Sequence, residues 1–427
     1  MSRMNKNCLD FYTEHVEGVI LPFWHRAVDT KYGGIFTCFS NNGNTLLSRD
    51  KYTWSQGRFL WLWSRLASMA GKNQIAGNQE EYLSQADQTA SFLFENVFLE
   101  NGNCAFVLDE EGKMKESHPG RGYDTSFYAD CFIVLGLTEY IRASKRTTFI
   151  STILSLFDSI IERLDNGKIR SEPYPIPDGY RSHSVSMIML NVTQEVAEVL
   201  ESFNHPRMQE FVDKSLFYMN DIIDHFMMAD GRIIELLPNN PSRKRDTLLA
   251  RHVNPGHAVE CMWFVMKTAE RAGNLDVINR AVQTIKWAFA IGWDKEYGGL
   301  LRFADHLGGE PNGRLIDDPY EKLIQDTWDT KLWWPHSEIL YAALLGYSLT
   351  QDSELISIYE QMEKYVFDTF PNTNLEIGEW IQIRARNGEP INKTVALPVK
   401  DPYHILRNLL LIIELLHEKP ALLGQLK

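Results

Sequence analysis

The sequence predicts an all-α protein, an (α/α)6 barrel with short β-hairpins in the connecting loops. Two observations predict this fold. Apolar residues recur at three- and four-residue intervals along most of the 427 residues, which is the period of an amphipathic helix. The helical segments also come in pairs, and one member of each pair recurs at roughly 70 residues, a long supersecondary repeat. Six helical hairpins can close into a ring and bury every amphipathic face.

The repeat divides the predicted helices into an inner and an outer set. The inner helices are predicted to begin near Tyr52, Tyr123, His183, Asn254, Leu332 and Pro402. The outer helices are predicted over residues 7–20, 79–95, 147–161, 206–223, 274–291 and 353–367. No Pro/Ser-rich linker divides the chain, so we expect a single catalytic domain over residues 1–427. An open α-solenoid is the alternative, but neither terminus shows the polar capping repeat that a solenoid needs.

The segments between the helix pairs carry the signature of β-hairpins. Short alternating runs at residues 34–39 and 105–108 each precede a cluster of turn residues, which is the pattern of a hairpin. Residues 297–303 also repeat the Tyr-Gly-Gly pattern of residues 32–36. This is a weak internal similarity between distant parts of the chain.

Composition limits the class of ligand. The net charge of −13 and a pI near 5.5 argue against binding to nucleic acid or to an anionic membrane, because both need a positive surface. The five cysteines have no CxxC spacing, and we expect them to be reduced thiols. No run of about 18 apolar residues and no signal-peptide pattern occurs. We therefore expect a cytoplasmic protein that acts on a small molecule.

Two short segments share one pattern, Asn254-Pro-Gly-His257 and Asp401-Pro-Tyr-His404. Asn and Asp are favoured N-cap residues, and proline is favoured at the first helical position. Both histidines are therefore predicted at the third helical position, where the helix dipole disfavours a charged ring. Two neutral histidines at such positions indicate paired acid/base chemistry.

The neighbours of the two histidines predict different roles for them. Three residues on, and so on the same helix face, His257 meets Glu260 and His404 meets Arg407. A carboxylate raises the basicity of a histidine, whereas an arginine lowers it. One histidine can then remove a proton next to a carbonyl while the other returns a proton to the opposite face. A cation such as Arg58 can stabilise the enediolate oxygen, and the sequence therefore predicts a two-base epimerisation.

The starts of the predicted inner helices share aromatic and charged residues. If these starts converge at one end of the barrel, they form a site suited to a sugar, with aromatic faces for C–H surfaces and charged groups for hydroxyls. The candidate binding residues there are Trp54, Tyr128, Asn191, Trp334, Glu338, Trp380 and Arg407.

Metal and cofactor sites find little support in the sequence. His252 and His257 are five residues apart, not the four that place two ligands on one helix face, and no cysteine cluster helps. No Walker-type loop occurs, and Gly33-Gly34 is too short to be a dinucleotide fingerprint. We therefore expect chemistry that needs neither a metal nor a redox cofactor.

Five motifs together resemble the N-acylglucosamine 2-epimerase family. They are Trp54-Ser-Gln-Gly-Arg58, the segment 251–260, the Lys-Leu-Trp-Trp-Pro-His-Ser-Glu segment 331–338, Gly378-Glu-Trp380 and His404-Ile-Leu-Arg407. The resemblance implies an (α/α)6 barrel with His257 and His404 as the acid/base pair, Glu260 as an orienting or ring-opening carboxylate, and Arg58 as the partner of an oxyanion. It implies that Trp334, Glu338, Trp380 and Arg407 shape the sugar site. Many members of this family are homodimers, and members of the N-acyl type often respond to ATP as an effector.

Within the family, the third inner helix indicates the sugar. Cellobiose epimerases and aldose–ketose isomerases typically carry a histidine there, whereas this chain has a Met-rich run that ends in Asn191. This resembles the N-acyl-sugar epimerases and favours interconversion of N-acetylglucosamine and N-acetylmannosamine through an enediolate. A shifted register of His183 would instead favour action on mannose, glucose or cellobiose. The segment 308–329 is longer than usual and can reshape the mouth of the pocket.

A more distant alternative is a barrel that binds or hydrolyses glycans. A hydrolase needs two carboxylates facing one glycosidic bond. Glu260 with Glu338 or Asp124 is the candidate set.

Overall fold

In the computed structural model, which describes residues 7–240 and 245–426, six helices form a closed ring that we call the inner ring. Each helix contacts the next, and the sixth contacts the first. The inner helices, numbered one to six below, are Thr53–Gly71, Phe127–Ser144, His183–Ser202, Pro255–Arg271, Trp333–Thr350 and Tyr403–Glu418. The starts agree closely with the prediction, except that inner helix two begins four residues beyond Tyr123.

A second layer of helices surrounds the inner ring. Outer helices Gln79–Asn96, Ile150–Asp165, Met208–Asp221, Leu275–Gly292 and Ser353–Thr369 each pack on the inner helix that precedes them. The N-terminal helical segment consists of Cys8–His15, a π-helical turn at Val16–Ile20, and Leu21–Arg26. This segment packs on inner helix six. The first and last helices of the barrel therefore close the ring, and the predicted (α/α)6 barrel is confirmed.

Local capping explains where the two histidine-bearing helices begin. The Asn254 side chain accepts a hydrogen bond from the His257 N–H at 3.2 Å, and Pro255 occupies the first helical position. Inner helix six begins at Tyr403, one residue later than the pattern predicts, although the Asp401 carboxylate still accepts from the Tyr403 N–H at 2.8 Å. His257 therefore lies at the third helical position as predicted, but His404 lies at the second.

Short strands fix the starts of the inner helices. The predicted hairpin at residues 105–108 is confirmed, because Val107–Leu108 pairs antiparallel with Met114–Lys115, and also with Lys51–Tyr52 just before inner helix one. Three further antiparallel pairs each have their first strand directly before inner helix three, four or five. They are Tyr180–Ser182 with Leu236–Pro238, His252–Val253 with Ala304–Asp305, and Lys331–Leu332 with Ile383–Arg384.

The predicted hairpin at residues 34–39 is present only as isolated bridges: the antiparallel bridge Phe39↔Leu46 spans the predicted turn, and Val28↔Ile35 forms a second bridge, but no regular strand forms. The reason is a side chain that replaces a neighbouring strand. The Gln56 amide accepts from the Ile35 N–H at 2.9 Å and donates to the Ile35 carbonyl at 2.8 Å.

The weak internal similarity corresponds to a repeated structural unit. Lys51 pairs with Asp29 in the first copy, and Lys331 pairs with Asp294 in the second. In the second copy the Leu300 N–H donates to His336 Nε2 at 2.8 Å, as the Ile35 N–H donates to Gln56 in the first. His336, on inner helix five, therefore has a structural role.

The long segment 308–329 covers one side of the barrel mouth. It contains the helix Pro319–Thr327, which contacts the short helix Leu248–Arg251. Together with Phe303, these elements form a small apolar core separate from the main one. Among the residues described, no helix is long and apolar enough to cross a membrane.

Candidate active site

The starts of the inner helices surround a cavity of about 220 Å³. This arrangement agrees with the predicted convergence of those starts at one end of the barrel. Nine of the predicted site residues line the cavity, and they are Trp54, Arg58, Tyr128, Asn191, His257, Glu260, Trp334, His404 and Arg407. The Tyr128 hydroxyl also forms a hydrogen bond of 2.8 Å with Ser184 on the neighbouring inner helix.

His257 is held by a carboxylate from a loop. Its Nδ1 lies 2.7 Å from Glu235 Oε1, so Nδ1–H donates to the carboxylate and Nε2 remains available to a substrate. Burial lowers the pKa of His257, but the charges of Glu235 and Glu260 outweigh burial and raise it above the ordinary value. The opposite charge of His257 helps to hold the pKa of Glu235 far below its usual range despite burial. His257 is therefore inclined to hold a proton.

His404 is held in the same way by a different carboxylate. Its Nδ1 lies 2.6 Å from Glu338 Oε1, so Nε2 is again the ring nitrogen that the carboxylate does not bind. Burial lowers the pKa of His404 and the charge of Arg58 lowers it further, against the opposing effect of Glu260 and Glu338. His404 is therefore inclined to be neutral and ready to accept a proton.

Trp334 connects the two histidines. Its indole ring lies with its centroid 5.1 Å from the His257 ring and 5.7 Å from the His404 ring. Both imidazoles thus pack against one aromatic surface, and this fixes their separation across the cavity. Gly256 makes room for the packing, because a Cβ at this position would lie 2.6 Å from the Trp334 ring.

Arg58 places a positive charge beside His404. Its guanidinium forms an ion pair with Asp401, and its Nη2 lies 3.4 Å from His404 Nε2. Burial lowers the pKa of Arg58 to about 9, which leaves the guanidinium charged at neutral pH. The Arg58 guanidinium lies next to Nε2, the His404 nitrogen on the substrate side, and a cation there can stabilise a developing oxyanion.

A buried charge cluster supports His404 from behind. Arg407 Nη2 lies 2.5 Å from Glu260 Oε1 and 2.6 Å from Glu338 Oε1. Burial lowers the pKa of Arg407, but the two carboxylates raise it well above its usual value. Burial likewise raises the pKa of Glu338, but Arg407 and His404 lower it to about 2. Glu338 is therefore a firm negative partner for the His404 ring.

The same cluster bears on the question of a metal ion. Ligand atoms of Glu260, Glu338 and His404 lie within 4.8 Å of one another, a spacing that an ion can bridge. The Arg407 guanidinium already binds both carboxylates, however, and supplies the positive charge that they need. The donor set therefore fits an arginine better than a second cation.

Several sequence predictions need correction. The hydrogen-bond partner of His257 is Glu235 and not Glu260, because Glu260 is drawn to the full charge of Arg407. The dipole argument predicted a neutral His257, but the nearby carboxylates raise its pKa. The pKa of His404 is lowered as predicted, but by burial and Arg58 rather than by Arg407.

Other predicted residues lie outside the cavity wall. Glu338 is fully buried behind His404. Trp380 lies in the core, where its Nε1 donates to His15 at 2.8 Å, so it does not shape the sugar site. Asp124 accepts hydrogen bonds from Asn101 and Asn103 away from the cavity. Neither Asp124 nor Glu338 therefore joins Glu260 in the cavity wall as a second hydrolytic carboxylate.

The lining residues that the sequence did not predict include Glu235, Arg302 and Tyr174. Glu235 lies in a loop with no distinctive neighbours. Arg302 follows the repeated Tyr-Gly-Gly motif, and it donates to Tyr174 at 3.2 Å. Tyr174 in turn accepts from the Ala396 N–H at 2.8 Å and so joins two loops over the cavity. The Tyr-Gly-Gly repeat was the one signal that pointed toward Arg302.

His183 is buried at the first position of inner helix three and does not line the cavity. Its Nδ1 lies 3.7 Å from Glu235 Oε2. The shifted register that would bring this histidine into the site does not occur.

The arrangement as a whole supports proton transfer on both sides of a bound molecule. Two carboxylate-held histidines present Nε2 to one cavity, their pKa values are shifted in opposite directions, and two arginines lie among the lining residues beside His404. These groups can remove a proton from a carbon next to a carbonyl, return a proton to it and stabilise the oxyanion that forms between the two steps.

Comparisons with known proteins identify the family of this chain. The N-acylglucosamine 2-epimerase (GlcNAc 2-epimerase) family model matches residues 34–408. The bovine N-acylglucosamine 2-epimerase is 28% identical over 404 residues, 93% of this chain and 89% of the relative. Cellobiose 2-epimerase from Dictyoglomus turgidum is 21% identical over 92% of this chain and 94% of the relative.

Solved structures show the same fold. The structure of cellobiose 2-epimerase from Bacillus thermoamylovorans aligns with a TM-score of 0.75 at 20% identity, over 95% of this chain and 98% of that one. The family model covers most of the chain and includes both histidines. The chain therefore belongs to the N-acylglucosamine 2-epimerase family, a family of carbohydrate epimerases in the isomerase class.

Proposed function

We propose that this protein interconverts N-acetyl-D-glucosamine and N-acetyl-D-mannosamine by proton transfer at C2. The observation that carries the proposal is the pair of histidines, each held through Nδ1 by its own buried carboxylate and each presenting Nε2 to the same cavity. The similarity to the bovine N-acylglucosamine 2-epimerase over 93% of the chain supports the choice of sugar.

The reaction follows from the geometry. In the open-chain sugar, C2 lies next to the C1 carbonyl, so its proton is acidic. One histidine removes this proton through Nε2, and the C–H electron pair moves into the C1–C2 bond as the carbonyl oxygen becomes an enolate oxygen. Arg58 stabilises that oxygen. The other histidine then returns a proton to the opposite face of C2, and the carbonyl reforms with inverted configuration at C2.

The opposite pKa directions suit the two roles. At neutral pH His404 is inclined to be the free base and His257 to hold the proton. One turnover reverses these protonation states, and solvent or the reverse reaction restores them. Glu260 lines the cavity beside this pair and is the candidate for opening the sugar ring.

Proton NMR at C2 in heavy water tests the proposal. N-acetylmannosamine, N-acetylglucosamine, mannose and cellobiose should be incubated separately with the enzyme. We expect deuterium at C2 and the appearance of the other epimer for the N-acetyl sugars. A ketose product from mannose would favour an aldose–ketose isomerase, and epimerised cellobiose would favour a disaccharide 2-epimerase. Release of a monosaccharide from cellobiose without C2 exchange would contradict both histidine mechanisms.

The homodimer, the ATP effector and the cytoplasmic location stay predictions from the sequence. Size-exclusion chromatography with light scattering tests the first. The C2 exchange assay with and without ATP tests the second.

A further inference from the structure

Beyond Ser184 at its start, inner helix three contributes a stripe of three side chains to the cavity wall, Met187, Ile188 and Asn191. Residues separated by three and four positions share a helix face, so the stripe presents two apolar side chains next to one amide. All three are buried, and Asn191 is only 1% exposed. This wall combines an apolar surface with a polar group that can both donate and accept.

The amide of Asn191 lacks a partner for its N–H groups. Among the described residues, no atom accepts a hydrogen bond from Asn191 Nδ2. Other buried asparagines do donate through Nδ2, since Asn103 binds Asp124 at 2.8 Å, Asn372 binds the Asn42 carbonyl at 3.0 Å, and Asn408 binds the His404 carbonyl at 2.7 Å. A buried amide donor without an acceptor is costly. Its position in the cavity wall therefore points to an acceptor on the substrate.

We propose that Asn191 binds the acyl amide of the substrate and that Met187 and Ile188 pack against its methyl group. This inference rests on the proposed function and adds the group through which the enzyme selects its sugar. Asn191 Nδ2 donates to the acyl carbonyl, and its Oδ1 can accept from the acyl N–H. The side-chain amide of Asn191 is therefore complementary in hydrogen bonding to the acyl amide of the substrate. A plain hexose has a hydroxyl at C2, which offers neither the carbonyl acceptor nor the methyl group.

A site built to hydrogen-bond a substrate group discriminates strongly against an analogue that lacks it, because the buried polar group is then left unpaired. Asn191 therefore acts on specificity. The two histidines carry out the same proton transfer whatever the substituent at C2.

A cycle of variants and substrates tests the role of Asn191. The substrates are N-acetylmannosamine and N-thioacetylmannosamine, whose sulfur is a weak acceptor. The variants are Asn191→Leu, which has a similar size without a donor, and Asn191→Asp, which keeps the shape without the N–H. We expect wild type to prefer the oxygen compound by about 10-fold or more in kcat/KM. Both variants should lose about 10- to 100-fold on it, equivalent to about 1–3 kcal/mol, and should lose the preference.

Thr193→Val is the matched control. Thr193 is a buried polar residue on the same helix, but its hydroxyl donates to the Met189 carbonyl and it does not line the cavity. This variant should keep the ratio of the two kcat/KM values unchanged. Thermal unfolding of each variant identifies any that fails to fold, and Asn191→Asp then replaces Asn191→Leu as the decisive variant.

The outcomes separate this inference from the proposed function. If wild type shows no C2 exchange with N-acetylmannosamine, both fall. If wild type epimerises the sugar but the Asn191 variants reduce both acyl compounds by the same factor, Asn191 has only a structural role. The inference is then wrong and the proposed function stands.

Discussion

The His257 side and the His404 side of the site have the same local structure, but the pKa values of their histidines are shifted in opposite directions. Each histidine lies near the start of an inner helix and donates Nδ1–H to a buried carboxylate, at 2.7 Å and 2.6 Å respectively. The two sides differ in the other groups that contact each carboxylate. Glu338 is also bound by Arg407, whereas Glu235 has no ion pair with an arginine among the described residues and its second oxygen lies 3.7 Å from the His183 ring.

This difference explains the two pKa directions. On the His404 side, the negative charge of Glu338 is largely satisfied by Arg407, and Arg58 adds a further positive charge, so burial dominates and the pKa falls. On the His257 side, the charge of Glu235 acts on the ring with little competition, and the pKa rises. The pKa of each histidine thus depends on which other groups bind its carboxylate partner.

Removing each histidine should produce the largest effect. His257→Asn and His404→Asn should each slow epimerisation by about 10²- to 10⁴-fold, the usual contribution of a general acid or base. In heavy water each variant should still exchange the C2 proton of one epimer through the histidine that remains. Because the two histidines face opposite sides of C2, the two variants should retain exchange with opposite epimers. Retention with the same epimer would contradict the two-base assignment.

Neutralising the supporting carboxylates should produce a smaller effect that differs between the two sides. Glu338→Gln weakens a fully buried cluster and leaves Arg407 with Glu260 alone, so the free energy of unfolding should fall by about 3–5 kcal/mol. Glu235→Gln changes a carboxylate that has no arginine partner in the part of the chain that the structure describes, so it should lower the free energy of unfolding by less. Urea unfolding of both variants measures the difference. Equal losses would show that the Arg407 cluster does not distinguish the two sides.

The smallest expected effect is a shift in pH dependence. Glu235 raises the pKa of His257, so Glu235→Gln should lower it. The direction of turnover that needs protonated His257 is lost as the pH rises through this pKa. In the variant that loss should therefore begin at lower pH. Rates measured from each epimer between pH 5 and pH 9 would show the shift in one direction only.

Glu172→Gln provides the control for this measurement. Glu172 is another carboxylate in the cavity wall, but its side chain accepts a hydrogen bond from Ser117 at 2.8 Å and has no hydrogen bond with His257 or His404. Its replacement should not change the pH at which activity is lost. An equal shift in both variants would indicate a general change in cavity charge and would remove the special role of Glu235.

The sequence predicted the parts of this site that depend on local structure. The capping residue and proline before His257 fix a helix start within a few residues, and the repeat of such starts predicts their convergence in a barrel. Partners that depend on the closed ring could not be predicted. Glu235 lies in a loop 22 residues before His257, and Arg407 lies 147 residues from Glu260.

Trp380 shows the same limit in the opposite direction. Its motif resembled a sugar-binding element, yet the indole N–H is satisfied by His15 from the N-terminal helix, 365 residues away in sequence. No local pattern records that contact. Only the packing of the first helix against the end of the barrel determines where this tryptophan lies.

Closure of the ring by its first and last helices affects how the protein is made. Inner helix six carries His404 and Arg407, and it needs the N-terminal helical segment on one side and inner helices one and five on the others. During synthesis the N-terminal segment leaves the ribosome early and stays without this partner until nearly the whole barrel has been translated. Contacts of such long sequence separation form slowly. Catalytic activity should therefore arise at the very end of folding, after most of the helices have already paired.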